Sequence, residues 1–399
     1  MITVDEALSR IVGVSTPVEK EKVSLDAAYD RVTANPISAR FDQPPFSASA
    51  MDGYAIISDS QIGIGDRYRV VGISSAGARF SEKMGAGEAV RIFTGAPVPL
   101  EATHVIIQEE VEAVDGHIVV KSPQARTNNI RLRGCDFAKG DVIIGDGARL
   151  TGPMLTLAAA AGHSAVSVRK RPRIALIANG DELVLPGESP GPDEIVCSIP
   201  FGLKAMIADW GGEADFIGIA KDNKPSICDL IRKSQHHDII VPIGGASVGD
   251  RDLMRLACDE MGFEKVFAKV SVKPGKPVWL STRGDTVALG LPGNPASALV
   301  TAVLFLKPAI ETMLGDKRQM PDSLFAKLTH PLGANGPRET YLRALLSITP
   351  DKSPWTVKAY DRQDSSLTTV MAEANALLRR KAGAPAAREG DLVECIKLN

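Results

Sequence analysis

The chain has 399 residues, of which 44% are hydrophobic and 24% are charged, and its net charge is −2. This length and composition predict a globular protein of two to four domains. The near-neutral charge argues against nucleic-acid and membrane-surface partners, which need a basic face. The five cysteines form no C-x-x-C pair, and the first residues lack the basic and apolar regions of a signal peptide. The longest apolar runs are too short to span a bilayer, so we expect a cytoplasmic protein.

The first 170 residues predict a discontinuous domain that is interrupted by a β-module. Residues 3–34 carry apolar side chains at helical spacing, which predicts two helices. The segments that follow are short, β-rich and separated by glycines. MLTLAAAAG (154–162) then predicts a buried helix beside the amino-terminal pair. The predicted boundaries are 1–44 with 141–170 for the first domain and 45–140 for the module.

From Arg173 onwards, segments typical of strands and helices alternate, which predicts βαβ units and a mainly parallel sheet over about 171–318. Ligands bind such sheets at the carboxyl ends of the strands. The loops after successive strands should therefore meet at one edge, and they carry Asp181 and Glu182, Asp222 and Asn223, Gly244–Asp252, and Pro292–Pro295. Residues 319–399 return to alternating short strands and predict a small carboxy-terminal β-domain.

Glycine-rich turns at this edge favour a ligand that carries phosphate. GGASVGD (244–250) lets a backbone approach a ligand closely and leads into a helix whose first turn offers unpaired N–H groups. Taken alone, this turn is equally well explained as a tight strand-to-helix connection. PGNP (292–295) places Asn294 as a possible cap, so it is also explained by a well-formed helix start. Three cations lie nearby in the sequence: Lys269, Lys273 and Lys276.

Carboxylates at the same edge favour a Mg²⁺ site. Asp181 and Asp222 follow predicted strands, whereas Asp250 and Asp252 straddle a helix start, where an acid is often only a cap. Mg²⁺ prefers oxygen ligands and usually bridges to substrate phosphate. The sequence contains neither a P-loop nor a Rossmann fingerprint, and it offers no Ser–His–Asp arrangement.

Seven motifs together resemble the molybdopterin molybdenumtransferase family, which includes the carboxy-terminal domain of gephyrin. They occur in the family's order over about 250 residues: SAMDGYA (49–55), IFTGAPVP (92–99), the loop around Arg133-Gly134 and Asp136, GDEL (180–183), GGASVGDRD (244–252), KPGKP (273–277) and GLPGNPASA (290–298). The resemblance implies an L-shaped protomer of four domains, with an α/β domain that binds pterin and a β-barrel-like final domain. It also implies a homodimer whose active cleft lies between that α/β domain and the inserted module of the partner subunit.

The resemblance further implies a reaction and a set of site residues. The family takes adenylylated molybdopterin and molybdate, inserts the metal into the pterin dithiolene, and releases AMP in a Mg²⁺-dependent step. The positions that match family residues implicated in catalysis are Asp52, Thr94, Asp136 and Glu182, and those implied to hold or orient Mg²⁺ are Asp222 and Asp252. The implied substrate-binding positions are Gly244, Gly245, Ser247, Val248, Gly249, Lys269, Lys273, Lys276, Pro292, Gly293, Asn294 and Pro295.

The sequence departs from the family pattern at four places. Cys197-Ser198-Ile199 stands where the family usually has Asp-Ser/Thr-Asn, and Asn179 replaces the usual Ser or Thr before GDEL. Cys135 replaces an acid and Ser366 replaces a histidine. The lost Asp and Asn are two polar groups that could hold pterin or nucleotide. These departures leave open a binding or scaffold paralogue with weak catalysis. A related nucleotide pyrophosphatase is disfavoured because the outer domains also match.

Overall fold

The computed structural model describes residues 1–59, 61–123, 128–245, 253–317, 323–348 and 355–398. The central part is an α/β domain built on a mixed sheet. Its strand order is Glu213–Ala220, Arg173–Asn179, Ile239–Ile243, Thr286–Gly290, Trp279–Arg283 and Glu264–Phe267. The first four of these strands run parallel, and the last two are added antiparallel. The predicted α/β fold class is therefore confirmed.

Helices cover both faces of this sheet because side chains alternate along each strand. On the strand Arg173–Asn179, for example, Leu176 belongs to one buried cluster and Ile177 to the other. The first cluster includes residues of the helix Ile199–Asp209 and of the helical segments between Pro295 and Met313. The second cluster is covered by the helices Lys224–Lys233 and Leu253–Glu260. The result is a layer of sheet between two layers of helix.

The helix start at Pro295 opens a long helical segment that reaches Met313 and contains a π turn. It runs as Pro295–Thr301, the π turn Ala302–Leu306 and Lys307–Met313. The π turn accommodates Pro308, which lacks an N–H and whose ring clashes with a carbonyl one turn earlier. In the described parts of the chain this is the one helix that by length and composition could cross a membrane, but 89% of its window is buried inside the protein. Its burial is that of a core helix.

The first predicted helix is confirmed as Val4–Val14, and its apolar residues join the core of the α/β domain. The second predicted helix is wrong. Lys20–Ser24 is a strand that pairs antiparallel with Ala165–Arg169, and only a single 3-10 turn, Leu25–Ala27, follows it. The apolar residues there have helical spacing, but pairing with a distant strand stabilises the extended conformation more. Asp30 has a φ of 60°, which no α-helix can contain.

The helix predicted at 154–162 exists as Gly152–Ala160, but it is not a buried helix in this chain. Within the described structure, Ala158 is its only fully buried residue. The helix carries apolar side chains on every face. Only one face packs against the rest of the chain, so the apolar side chains on the other faces stay partly exposed. It packs near the antiparallel pair Ile37–Ser38 and Val142–Ile144. The division into the predicted domain boundaries stays a prediction.

The inserted module is a mixed β-sheet, as the short apolar runs predict. Its strand order is His104–Ile107, Gly53–Ile56, Glu88–Ile92, Arg67–Ser74, His117–Val120 and Val111–Val114. A 3-10 turn, Gln108–Glu110, joins two of these strands, and a short pair, Ala48–Ser49 with Ile130–Arg131, lies beside the sheet. These elements hold the segments that carry Asp52 and Thr94 next to each other.

The carboxy-terminal domain is a closed β-barrel with a short helix, Thr368–Glu373. Its strands are Ser323–Leu328, Glu339–Ser347, Thr356–Ala359, Ala376–Arg380 and Leu392–Lys397. Ala376–Arg380, a strand that was not predicted from the sequence, closes the barrel by pairing with both Glu339–Ser347 and Leu392–Lys397. A further pair, Val272–Lys273 with Glu339–Thr340, attaches the barrel to the α/β domain. The predicted barrel-like domain is therefore confirmed.

Candidate functional site

A cavity of about 860 Å³ lies at the carboxyl ends of the parallel strands. The loops that the sequence predicts to meet at this edge do meet there, because parallel strands all end on the same side of the sheet. The predicted site residues that line the cavity are Glu182, Asp222, Gly244, Gly245, Pro292, Gly293, Asn294 and Pro295. Their chemical roles stay predictions.

Asn179 and Asp222 form a hydrogen-bonded pair in the wall of this cavity. The Asn179 side chain is buried, and its Nδ2 donates to Asp222 Oδ1. The backbone N–H of Asp222 in turn donates to Asp181 Oδ1 at 3.2 Å. Asn179 was identified from the sequence only as a departure from the family pattern, and its contact with Asp222 was not predicted.

The turn after the strand Ile239–Ile243 requires glycine at its first two positions. Gly244 and Gly245 have φ values of 89° and 67°, which favour glycine. A Cβ on Gly244 would lie 2.8 Å from the backbone oxygen of Asn179. Ser247, Val248, Gly249 and Asp252, which the sequence places in the same turn, lie outside the described residues.

Apolar side chains form the wall of the cavity where the sequence departs from the family. Ile195, Val196 and Ile199 line it together with Cys197 and Ser198. Cys197 is 4% exposed, and burial raises the pKa of its thiol. Ser198 lies at the N-cap of the following helix, but its side chain makes no capping hydrogen bond. This wall therefore offers contact area for a ring more readily than hydrogen bonds.

A second cavity, of about 510 Å³, adjoins the first and shares the lining residues Pro277, Pro292 and Asn294 with it. Lys273 and Lys276 line this second cavity, as do residues of the carboxy-terminal barrel that sequence reasoning missed: Arg338, Arg343 and Ser365. Lys269 is exposed and lies outside the described lining of both cavities. The described lining of the second cavity thus holds four cations and one carboxylate, Asp364, so its charge is positive on balance.

Arg343 is the most deeply buried of these cations, with 1% of its surface exposed. Its Nη2 donates to the backbone oxygen of Asp364 at 2.9 Å, and its buried Nε has no hydrogen-bond partner among the described residues. Burial lowers the pKa of the Arg343 guanidinium, and the Asp364 carboxylate acts in the opposite direction. An arginine inside the apolar run YLRALL was the available sequence signal, because such a residue is rarely buried without a partner.

Asn294 links the two cavities to the barrel, and its predicted capping role is wrong. Asn294 occupies the N-cap position of the helix that begins at Pro295, but its side chain makes no capping bond. Its Nδ2 instead donates to Ser365 Oγ at 2.9 Å. The Ser365 backbone oxygen accepts the Ala296 N–H at 3.0 Å. This bond satisfies a first-turn N–H group that a capping side chain would otherwise have bonded.

Asp52 and Thr94 form a second, separate constellation in the inserted module. Asp52 Oδ1 accepts the Thr94 backbone N–H at 2.7 Å and the Thr94 hydroxyl at 2.8 Å. These two bonds hold the pKa of Asp52 below its ordinary value. Asp136 is exposed on a neighbouring loop, where its N–H donates to the Gln43 oxygen at 3.0 Å. In the described part of this single chain, none of the three predicted module residues lines either cavity.

Comparisons with known proteins cover nearly the whole chain. Three family profiles match successive parts: "MoeA N-terminal region (domain I and II)" at residues 2–162, "Probable molybdopterin binding domain" at 175–312 and "MoeA C-terminal region (domain IV)" at 326–398. A molybdopterin molybdenumtransferase from Haemophilus influenzae is 34% identical over 322 residues, which cover 80% of this chain and 79% of that one. The chain belongs to the molybdopterin molybdenumtransferase family.

Other members of the family extend the match to both ends of the chain. The molybdopterin molybdenumtransferase of Staphylococcus epidermidis is 28% identical over 400 residues, covering 99% of this chain and 95% of that one. A solved molybdopterin biosynthesis moeA protein from Pyrococcus horikosii superimposes with a TM-score of 0.85 at 28% identity, and the match covers 100% of this chain and 99% of that one. The resemblance predicted from the motifs is confirmed, and the protein is an enzyme of molybdenum cofactor biosynthesis. The outer domains belong to the match, which disfavours the pyrophosphatase alternative.

The residues of the first cavity fit a Mg²⁺ ion whose coordination shell is completed by phosphate of the substrate. Among the described residues there is no group of three or more His, Cys, Asp or Glu side chains placed to hold a metal. Mg²⁺ is usually bound by one or two carboxylates, with water and substrate phosphate completing its shell. The exposed carboxylates Asp222 and Glu182 line the cavity, and Asp181, which accepts the Asp222 N–H, lies next to it. Asp252, the other predicted ligand, lies outside the described residues.

Proposed function

We propose that the protein inserts molybdenum into adenylylated molybdopterin, using molybdate and Mg²⁺ and releasing AMP. The observation that carries the proposal is the pair of adjoining cavities. One has a glycine turn, carboxylates and an apolar wall, and the other is lined by lysines and arginines. A nucleotide-linked pterin and a small oxyanion could thus be held side by side. A cytoplasmic location remains our expectation.

The first cavity suits the adenylylated pterin. Gly244 and Gly245 lie in the wall of this cavity, and backbone N–H groups of glycine turns can bind phosphate. The Gly244 N–H already donates to the Leu291 oxygen at 3.1 Å, so the phosphate donors would come from later in the turn. Ile195 and Ile199 provide a surface against which a flat ring can pack. Asp222 would hold Mg²⁺ beside the phosphate groups of the ligand. When bound there, Mg²⁺ would neutralise developing charge on the phosphate oxygens.

The second cavity suits molybdate, which is a dianion. Lys273, Lys276 and Arg343 line one space, so their positive charges would attract and orient an oxyanion there. The shared wall at Pro277, Pro292 and Asn294 places that anion next to the first cavity. Electrostatic stabilisation by fixed cations is the main contribution that such a site makes to transfer of an oxyanion. The protein's lysines and arginine therefore position the metal donor rather than act as acids or bases.

We also propose a homodimer with a composite cleft. Asp52 and Thr94 are hydrogen-bonded to each other but lie outside both cavities of the same chain in the described structure. A second subunit could bring that pair to the cavity. The apolar helix Gly152–Ala160 is partly exposed in a single chain, and a second copy could bury its remaining surface. Sedimentation equilibrium should give a dimer, and a monomer at all concentrations would contradict this part of the proposal.

The direct test combines purified protein with adenylylated molybdopterin, molybdate and Mg²⁺. We expect AMP release that depends on both Mg²⁺ and molybdate, together with appearance of metal-loaded pterin.

The apolar stretch at Cys197 and Ile199 is the observation that favours the scaffold alternative. Tight pterin binding without AMP release would support that alternative and contradict the proposed reaction.

A further inference from the structure

Asn179 lies in the first cavity between Asp222 and the glycine turn at Gly244 and Gly245. It ends the strand Arg173–Asn179 and pairs in register with Ala220, so Asp222 follows only two residues beyond that pairing. Its Nδ2 donates to Asp222 Oδ1. A Cβ on Gly245 would come within 3.2 Å of the same Nδ2, which shows how closely the amide lies under the glycine turn.

The other half of the amide makes no hydrogen bond within the part of the chain that the structure describes. Asn179 is 5% exposed, and its Oδ1 is buried without a hydrogen-bond partner among the described residues. A buried acceptor without a partner destabilises a fold, so such a group calls for a reason other than stability. An apolar residue of similar shape would avoid that loss but could not donate to Asp222. The side chain is therefore better explained by the orientation of Asp222 than by core packing.

We propose that Asn179 is a positioning residue that orients the Asp222 carboxylate for a divalent cation. Its amide engages Oδ1, which leaves Oδ2 of Asp222 for the ion and its waters. Because Asp222 is exposed, its side chain would otherwise rotate freely in solvent. This inference rests on the proposed function, since it assumes that Asp222 contacts the cation.

The test measures cation binding directly as well as turnover. Mn²⁺ is titrated into the full-length protein with AMP present, and free Mn²⁺ is followed by electron paramagnetic resonance. Asn179→Leu keeps the shape of the side chain but removes both the donor and the unpaired acceptor. We expect Mn²⁺ affinity to fall about tenfold or more, because the hydrogen bond to a carboxylate is lost. We expect the melting temperature to stay the same or rise, which a purely structural role does not predict.

Two further variants serve as controls. Asn375 exchanges two hydrogen bonds with the backbone of Leu346 in the barrel, so Asn375→Leu should lower the melting temperature and leave Mn²⁺ affinity unchanged. Asp222→Asn should lose Mn²⁺ binding. If Asp222→Asn binds Mn²⁺ as the wild type does, the metal step of the proposed function fails. If Asp222→Asn loses binding but Asn179→Leu keeps it, only the inference on Asn179 is overturned. Parallel loss of stability and affinity in Asn179→Leu means a structural role and also overturns the inference.

Discussion

Replacing Arg343 by Met removes the most buried cation of the second cavity. Arg343 donates to the Asp364 backbone oxygen at 2.9 Å and lines the second cavity, so its guanidinium charge lies beside the space proposed for the oxyanion. Hydrogen bonds to charged groups contribute about 1.5–3 kcal/mol. Loss of that contact should weaken molybdate binding by about tenfold to a hundredfold. Calorimetric titration of the purified protein with molybdate measures the change.

The same substitution should have little effect on stability. Met is also long and unbranched, and it removes the cost of burying a guanidinium whose Nε has no partner among the described residues. That gain offsets the loss of the hydrogen bond to the Asp364 backbone oxygen. The neighbouring Asp364 carboxylate keeps its hydrogen bonds from the side chain and backbone of Ser366, which are the main reason that the pKa of Asp364 is lowered. We therefore expect a nearly unchanged melting temperature. A loss of molybdate affinity would then report binding rather than unfolding.

Arg380→Met is the matched control for this experiment. Arg380 is also buried in a strand of the barrel, and its Nη2 donates to the backbone oxygens of Gly333 and Pro385, but it lies outside the lining of the second cavity. It should leave molybdate affinity unchanged. Wild-type affinity in Arg343→Met, or an equal loss in Arg380→Met, would refute the assignment of this cavity to the oxyanion.

Three further predictions follow from the described contacts. Asp222→Asn should lower Mg²⁺-dependent AMP release at least tenfold but change stability by only about 1 kcal/mol, since the side chain is exposed; unchanged kinetics would remove Asp222 from the mechanism. Cys197→Asp should lower the free energy of unfolding by about 3 kcal/mol, because it places a carboxylate at a buried position, and an unchanged denaturation midpoint would contradict this. Thr94→Val should raise the pKa of Asp52 towards its ordinary value, as followed by carbon NMR, because one of two lowering hydrogen bonds is lost. Because folding lowers the pKa of Asp52, the ionised carboxylate stabilises the fold at pH values above its unfolded pKa. This stabilisation disappears as the pH falls through the folded pKa. In Thr94→Val the folded pKa is higher, so the stabilisation should disappear at a higher pH than in the wild type.

The parts of the fold that the sequence predicts correctly carry their signal locally. The buried parallel strands, such as Arg173–Asn179 and Ile239–Ile243, are continuous apolar runs because both of their faces are covered. The strands that were missed or misassigned depend on distant partners. Lys20–Ser24 is held by Ala165–Arg169, and Ala376–Arg380 is held by two strands at once. The local residue pattern of either segment does not predict that it pairs with those distant strands.

For the site, the sequence by itself determined which loops meet at the edge of the sheet, because strand direction and βαβ alternation decide that geometry. It also carried the motifs that indicate the family. Only the tertiary structure showed that Asn179 holds Asp222, and that Arg343 of the barrel faces the same cavity as Lys273. These contacts join residues that are more than forty positions apart, and side-chain packing between separate elements decides which atoms meet. Periodicity along the chain describes one element at a time and holds no information about that packing.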